Sequence, residues 1–157
     1  MRKQMITISV IGGHSISDKV GFLAESVGQM IAELGGILVC GGLGGVMEAA
    51  AKGAKKAGGM TIGLLPGKDK GDANSSIDVA LPTTIGYARN AMVACSADII
   101  VALPGSYGTS SEICYGLVYG RPVIDLGGWK MKGMIPARNL IQAQEKIKKI
   151  IKKLSDA

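Results

Sequence analysis

Short apolar runs alternate along this chain with longer segments in which apolar residues recur every three or four positions. Continuous apolar runs bounded by glycine or polar residues are typical of strands that are covered on both faces. On this pattern six strands are predicted, at Ile6–Ile11, Ile37–Cys40, Thr61–Leu65, Ile77–Leu81, Ile99–Leu103 and Pro122–Leu126.

The segments between these runs have helical spacing. Helices are predicted at Val20–Leu34, Gly45–Ala57, Gly86–Ser96, Gly108–Tyr119 and about Asn139–Leu154. The polar stretch Pro66–Ser76 is rich in turn formers and is predicted to be a loop. Alternating strands and helices predict an α/β fold: a doubly wound, Rossmann-like and mostly parallel sheet of about six strands with helices on both faces. The 157 residues suffice for one such domain, residues 1–157.

Composition narrows the class of protein. Aromatic residues make up only 4% of the chain, so the core must be aliphatic. Much of the net charge of +6 lies in the last predicted helix, at Lys146, Lys148, Lys149, Lys152 and Lys153. These lysines alternate with apolar residues at helical spacing, which predicts a solvated lysine face and gives little support for a nucleic-acid partner.

The sequence also indicates the compartment. No apolar run reaches the roughly 18 residues of a membrane span, and no signal peptide is recognised at the N-terminus. Cys40, Cys95 and Cys114 are odd in number and form no CxxC motif. They are predicted to be reduced, buried thiols of a cytoplasmic protein that does not contact membranes.

The most informative motif is the ten-residue segment LPGSYGTSSE, Leu103–Glu112. It joins the end of a predicted strand to the start of a predicted helix. Free backbone N–H groups and the helix dipole make an anion site at such a junction. Glu112 is the only charged residue in the segment, so the motif predicts a phosphate site with one carboxyl group beside it.

Two other glycine clusters follow predicted strands, GGHS from Gly12 and GGLGGVME from Gly41. In such a sheet the carboxyl ends of the strands face the ligand. Neither cluster is GxGxxG, and no carboxylate follows the second strand, which disfavours a dinucleotide-dependent dehydrogenase. His14, the only histidine, is interpreted mainly as a loop residue.

Other chemistries are poorly supported. The segment Gly63–Asp69 is one residue too short for a Walker loop, and Asp69 stands where Ser or Thr would hold Mg²⁺. One histidine and no CxxC argue against a metal site. Arg89 and Asn90 lie early in the helix after the fourth strand, where an arginine would suit a phosphate.

In combination these motifs resemble those of a known family. The segment PGSYGTSSE resembles the PGGxGTxxE motif of the LONELY GUY family, also described as lysine decarboxylase-like, and GGLGGVMEA resembles its GGxxGxM(x)A segment. Arg89 stands where that family has its arginine, and the similarity extends from Val10 to about Asp125. The resemblance implies a Rossmann-like, nucleotide-binding fold. Lysine decarboxylase activity is not expected.

The founding branch of that family hydrolyses the N-glycosidic bond of nucleoside 5′-monophosphates. By this resemblance Arg89 and Glu112 would be catalytic. Ser106 replaces the second glycine of PGG, and Asn90 replaces the lysine that commonly follows the arginine. Both departures are more similar to the branch that includes molybdenum-cofactor carrier proteins, in which a pterin phosphate is bound and hydrolysis is not expected.

The favoured prediction is therefore a protein that binds a nucleotide, a phosphate or a molybdopterin-type cofactor without requiring any other cofactor. A phosphoribohydrolase, and a fold whose glycines serve turns alone, remain alternatives. A homo-oligomer, a dimer or dimer-based, is expected from the resemblance and from the apolar segments Ala91–Ala94 and Ile113–Val118. The predicted ligand-binding residues are Gly12, Gly13, Gly41, Gly42, Gly44, Gly45, Met47, Arg89, Asn90, Pro104, Gly105, Ser106, Tyr107, Gly108, Thr109 and Glu112.

Overall fold

The computed structural model describes residues 4–157, which form a single seven-stranded sheet. All neighbouring strands are parallel and the spatial order is β4-β3-β2-β1-β5-β6-β7. The strands are β1 Thr7–Ile11, β2 Ile37–Cys40, β3 Thr61–Leu65, β4 Val79–Pro82, β5 Ile99–Ala102, β6 Val123–Asp125 and β7 Ile135–Pro136. The predicted fold class is confirmed. The pattern did not predict β7, because a two-residue strand ending in proline has no periodicity to detect.

The helices are α1 Asp18–Glu33, α2 Val46–Lys56, α3 Asn90–Cys95, α4 Tyr107–Val118 and α5 Leu140–Asp156. The segment predicted as one helix over 86–96 is divided, because a 3₁₀ helix at Gly86–Arg89 precedes α3. A second 3₁₀ helix, Lys70–Asp72, lies within the predicted loop. None of the helices within residues 4–157 has the length and hydropathy needed to cross a membrane.

The helices cover both faces of the sheet, because alternate strand residues point to opposite sides. Ile8, Val101 and Leu38 belong to the core that packs against α1, α2 and α5. Ile100 and Ile11 belong to the second core, under α3 and α4. The predicted doubly wound arrangement follows directly from this alternation.

Strand order reverses between β1 and β5, and the loops after these two strands meet there. The Gly13 N–H donates a hydrogen bond of 2.8 Å to the Pro104 carbonyl oxygen. In an open parallel sheet the crevice outside the carboxyl ends of the strands at such a reversal is the usual ligand site. The fold therefore brings the first glycine cluster next to the LPGSYGTSSE segment.

The three thiols differ in exposure. Cys40 is buried, Cys95 is half-buried and Cys114 is exposed, and all three are free. The prediction of three buried thiols is therefore correct for Cys40, only partly correct for Cys95 and wrong for Cys114. Helical position explains the difference, since Cys114 follows the buried Ile113 on α4 and points away from the sheet.

Helices α1 and α2 pack closely enough to require glycine at the crossing. A Cβ atom on Gly28 would lie 1.8 Å from the Ala50 carbonyl oxygen, and one on Gly53 would lie 1.9 Å from that of Glu25. Backbone cannot move aside as a flexible side chain can, so these two positions fix the distance between the helices.

Gly28→Ala is expected to lower the free energy of unfolding by about 1–3 kcal/mol or more, because the helices must separate to admit the methyl group. Gly21→Ala on the same helix is the matched control. A Cβ there would meet only Ile16 Cδ1, at 3.6 Å, so it should be neutral or stabilise by about 0.5–1 kcal/mol. Urea unfolding checks both, and equal effects of the two variants would contradict the packing argument.

Candidate functional site

A cavity of about 990 Å³ lies at the carboxyl edge of the sheet, where the order of β1 and β5 reverses. It is bounded by the start of the loop that follows β1 (the β1 loop, which begins with Gly12, Gly13 and His14), the start of α2, the 3₁₀ helix before α3 and the first turns of α4. Its lining residues are Val10, Ile11, Gly12, Gly13, His14, Gly41, Leu43, Met47, Tyr87, Ala88, Arg89, Asn90, Ser106, Tyr107, Gly108, Thr109, Ser111, Glu112 and Tyr115.

The first turn of α4 supplies hydrogen-bond donors to this cavity. Ser106 occupies the N-cap position, but its side chain makes no capping hydrogen bond. The first N–H groups of a helix have no partner within the helix. Thr109 is only 4% exposed and lines the cavity. These donors can bind an oxyanion of suitable size.

Arg89 brings a buried positive charge to the same cavity. Its Nε donates to the Leu64 carbonyl oxygen at 2.8 Å, Nη1 to Asn90 Oδ1, and Nη2 to the Gly41 carbonyl oxygen at 3.4 Å. Only 6% of the residue is exposed. Burial lowers the pKa of Arg89, but guanidinium stays protonated in proteins. The side chain is held by neutral oxygens, so its charge remains available to an anion.

Glu112 lies one helical turn beyond Gly108 and is 8% exposed. The two salt bridges of the described chain are Lys55–Asp78 and Lys56–Glu25, so no cationic nitrogen of residues 4–157 lies within 4.0 Å of the Glu112 carboxyl group. Burial raises the pKa of Glu112 to about 8, against the opposing effect of Arg89. At pH 7 the carboxyl group is therefore mostly neutral and does not repel an anion.

Asn90 connects the two sides of the cavity. Its Nδ2 donates to Ser111 Oγ at 3.2 Å, and Ser111 Oγ in turn donates to the Gly108 carbonyl oxygen at 2.6 Å. The same Asn90 accepts from Arg89. This chain of hydrogen bonds ties the arginine to the first turn of α4.

Several predicted site residues do not line the cavity: Gly42, Gly44, Gly45, Pro104 and Gly105. Backbone conformation or close contacts explain why three of them are glycine. Gly42 and Gly45 have φ values of +78° and +67°, and a Cβ on Gly45 would lie 2.3 Å from the Gly13 carbonyl oxygen. A Cβ on Gly105 would lie 2.1 Å from Thr109 Oγ1. These glycines shape the loops around the cavity.

The other predicted residues do line it, and Gly41 illustrates why glycine is needed. A Cβ at this position would lie 2.6 Å from Met47 Sδ and 2.8 Å from Arg89 Nη2. Glycine at residue 41 therefore leaves the space that the Met47 side chain and the Arg89 guanidinium occupy.

Sequence reasoning left out eight lining residues: Val10, Ile11, His14, Leu43, Tyr87, Ala88, Ser111 and Tyr115. Three of them had a usable signal. His14 directly follows Gly12-Gly13, whereas Ser111 and Tyr115 lie three residues after Gly108 and Glu112 respectively, on the same helix face. Tyr87 had none, because it belongs to a 3₁₀ helix that the sequence pattern does not separate from α3.

Comparison with known proteins agrees with this architecture. The chain belongs to the SLOG cluster4 family, whose profile matches residues 5–156. An uncharacterized protein from Archaeoglobus fulgidus is 42% identical over 123 residues, covering 78% of this chain and 81% of that protein.

Two solved structures show the same similarity over nearly the whole chain. The molybdenum cofactor binding protein from the phototrophic bacterium Rippkaea orientalis is 35% identical with a TM-score of 0.87, covering 94% of this chain and 98% of that one. The molybdenum cofactor carrier protein of Chlamydomonas reinhardtii is 31% identical with a TM-score of 0.86, covering 94% and 99%. The predicted resemblance, on the carrier side of the family, is confirmed.

The raised pKa of Glu112 predicts a pH-dependent stability. The unfolded carboxyl group ionises near 4.5 and the folded one near 8. Stabilisation by the protonated form is therefore complete below pH 4.5 and is lost as the pH rises to about 8. Glu112→Gln lacks this loss, so its free energy of unfolding relative to wild type should rise by about 2–5 kcal/mol over that range.

Urea unfolding of both proteins at pH 5, 7 and 9 measures this difference. The same substitution at the exposed Glu145 on α5 is the control. A difference between Glu112→Gln and wild type that is constant from pH 5 to 9 would show that the Glu112 pKa is not raised.

Proposed function

We propose that the cavity binds the phosphate of a molybdopterin-type small molecule and that the protein acts as its carrier. One observation carries the proposal: the donors of the first turn of α4 and the buried Arg89 guanidinium share one cavity. Unpartnered helix N–H groups and a guanidinium are the standard ligands of phosphate in proteins.

The size and chemistry of the cavity support a ligand larger than phosphate alone. A volume of about 990 Å³ lies at the upper end of the range for small-molecule sites. A phosphate would occupy the α4 end, leaving the rest for a ring system. The two relatives described above bind or carry molybdenum cofactor according to their names. Their similarity over nearly the whole chain favours the same class of cargo here.

Hydrolysis of nucleoside 5′-monophosphates is the second candidate function, because Arg89 and Glu112 line one cavity. Breaking an N-glycosidic bond develops positive charge on the ribose, which an ionised carboxylate stabilises, and the same carboxylate can take a proton from the attacking water. Arg89 would hold the phosphoribosyl group. This role requires ionised Glu112, whereas binding alone is served better by the neutral form.

The double variant Gly108→Ala/Thr109→Val is expected to weaken binding of inorganic phosphate at least tenfold. The methyl group added at residue 108 would narrow the approach to the N–H donors, and the loss of the Thr109 hydroxyl removes a charge-assisted hydrogen bond worth about 1.5–3 kcal/mol. A Cβ on Gly108 would lie 3.7 Å from Asn90 Nδ2, an ordinary contact, so the fold should persist.

Isothermal titration with phosphate measures the effect. Ser110→Ala is a matched control, because Ser110 lies on the same helical turn without lining the cavity. Identical phosphate affinities for wild type and the double variant would exclude the α4 site.

The two candidate functions differ in turnover. If the protein is a carrier, the wild type releases no base from a panel of nucleoside 5′-monophosphates. If it is a hydrolase, base release should increase as the pH rises through about 8, where Glu112 ionises, and Glu112→Gln should reduce it about a hundredfold or more. Chromatography of the released base is the assay, and robust release by wild type that is lost in Glu112→Gln would replace the carrier assignment.

We also propose that the chain forms a homo-oligomer based on a dimer. The apolar segments of α3 and α4 support this only in part, because Val93, Ala94 and Ile113 are buried against the sheet. Other apolar side chains on or directly after these helices remain exposed, namely Met92, Val118 and Tyr119. An exposed apolar surface of this kind is typical of a subunit contact.

Light scattering at micromolar concentration should give a mass of at least twice the 16.1 kDa of one chain. Val118→Lys should reduce the mass towards one chain if the surface of α3 and α4 is the contact. A mass of one chain for wild type would contradict the oligomer.

A further inference from the structure

The few aromatic side chains of this protein are concentrated at the cavity. The chain has four tyrosines, one tryptophan and one phenylalanine. Three of the four tyrosines line the cavity, Tyr87, Tyr107 and Tyr115. Tyr87 is 86% exposed and Tyr107 is 91% exposed. Neither side chain has a packing role that would explain an aromatic residue at that position.

The tyrosines and the anion-binding groups occupy different depths. Arg89, Thr109 and Glu112 are buried, whereas Tyr87 and Tyr107 are almost fully exposed and lie at the mouth. Tyr107 begins α4, and Tyr115 lies on the same face about 12 Å further along the helix axis. Tyr87 belongs to a different lining element, the 3₁₀ helix that ends at Arg89. A ligand that enters with its phosphate first would leave its other end among the tyrosines.

We propose that Tyr87 and Tyr107, supported by Tyr115, form a stacking surface for a flat ring of the phosphorylated ligand, so that phosphate esters of fused, planar nitrogen heterocycles are selected. The proposal rests on the proposed function, since it assumes that the phosphate binds at α4. It adds the residues that select the ring and separates such ligands from sugar phosphates of similar size.

Physical chemistry favours this assignment over a purely aliphatic contact. An aromatic face binds a flat heterocycle through stacking, which every nitrogen base can offer. Tyrosine loses few rotamers on binding because it has only two side-chain torsions. Its hydroxyl also keeps an exposed ring hydrated before the ligand arrives.

The test compares two phosphate esters that differ in the ring. The first is 6-hydroxymethylpterin phosphate, which has a fused planar ring and no N-glycosidic bond, so hydrolase activity cannot consume it. The second is methyl phosphate. Pterin fluorescence follows the first ligand and calorimetry follows both. The variants are Tyr87→Ala and Tyr107→Ala, the conservative Tyr87→Phe and Tyr107→Phe, and Phe22→Ala as control, because Phe22 is an exposed aromatic residue outside the cavity.

Wild type should bind the pterin ester more tightly than methyl phosphate. Each alanine variant should weaken pterin binding by about 5- to 100-fold, the range expected for one stacked ring, and leave methyl phosphate affinity within about twofold. The phenylalanine variants and Phe22→Ala should retain wild-type affinity for both. Substitutions at such exposed positions seldom affect folding, and circular dichroism verifies this.

Three results would overturn the proposal. Alanine variants with wild-type affinity for the pterin ester would show that the tyrosines do not hold the ring, while leaving the phosphate site intact. An alanine variant whose mass in light scattering falls below that of wild type would assign its tyrosine to a subunit contact. If wild type binds neither ester, the proposed function itself fails and this inference fails with it.

Discussion

The site depends on one buried positive charge that is held without a carboxylate. Arg89 is fixed by oxygens from three segments: the end of β3, the loop after β2, and the start of α3. A buried guanidinium normally needs an ionic partner. Here neutral dipoles orient the side chain and leave its charge uncompensated at the cavity. Gly41 is part of this arrangement, because a side chain at residue 41 would displace the guanidinium.

This charge opposes, but does not overcome, the effect of burial on the ionisation of Glu112. Burial raises the pKa of this carboxyl group to about 8 although Arg89 acts in the opposite direction. An ion pair would have kept the glutamate ionised and cancelled the field that attracts an anion. A bound phosphate dianion would raise the glutamate pKa further, because like charges disfavour ionisation. The neutral form of Glu112 thus suits binding of an anion, whereas hydrolysis would need the ionised form.

The fold and the centre of the site could be predicted from the sequence, because both depend on local patterns. Continuous apolar runs predicted six strands, and the glycine-rich junction predicted the start of α4 near Gly108. The sequence was less informative where tertiary packing decides. Gly45 looks like a ligand-binding residue but is required by its positive φ and by contact with the β1 loop. Tyr87 reaches the cavity only because a 3₁₀ helix precedes α3, which no periodicity distinguishes from one continuous helix.

The central claim is that an anion binds at the first turn of α4. Amide NMR of ¹⁵N-labelled protein during titration with inorganic phosphate tests it most directly, because each backbone N–H reports on its own surroundings. The largest shifts are predicted at Tyr107, Gly108 and Thr109, with smaller ones along the β1 loop at Gly12 and Gly13. Largest shifts at the exposed lysines of α5, with those of α4 unchanged, would contradict the account.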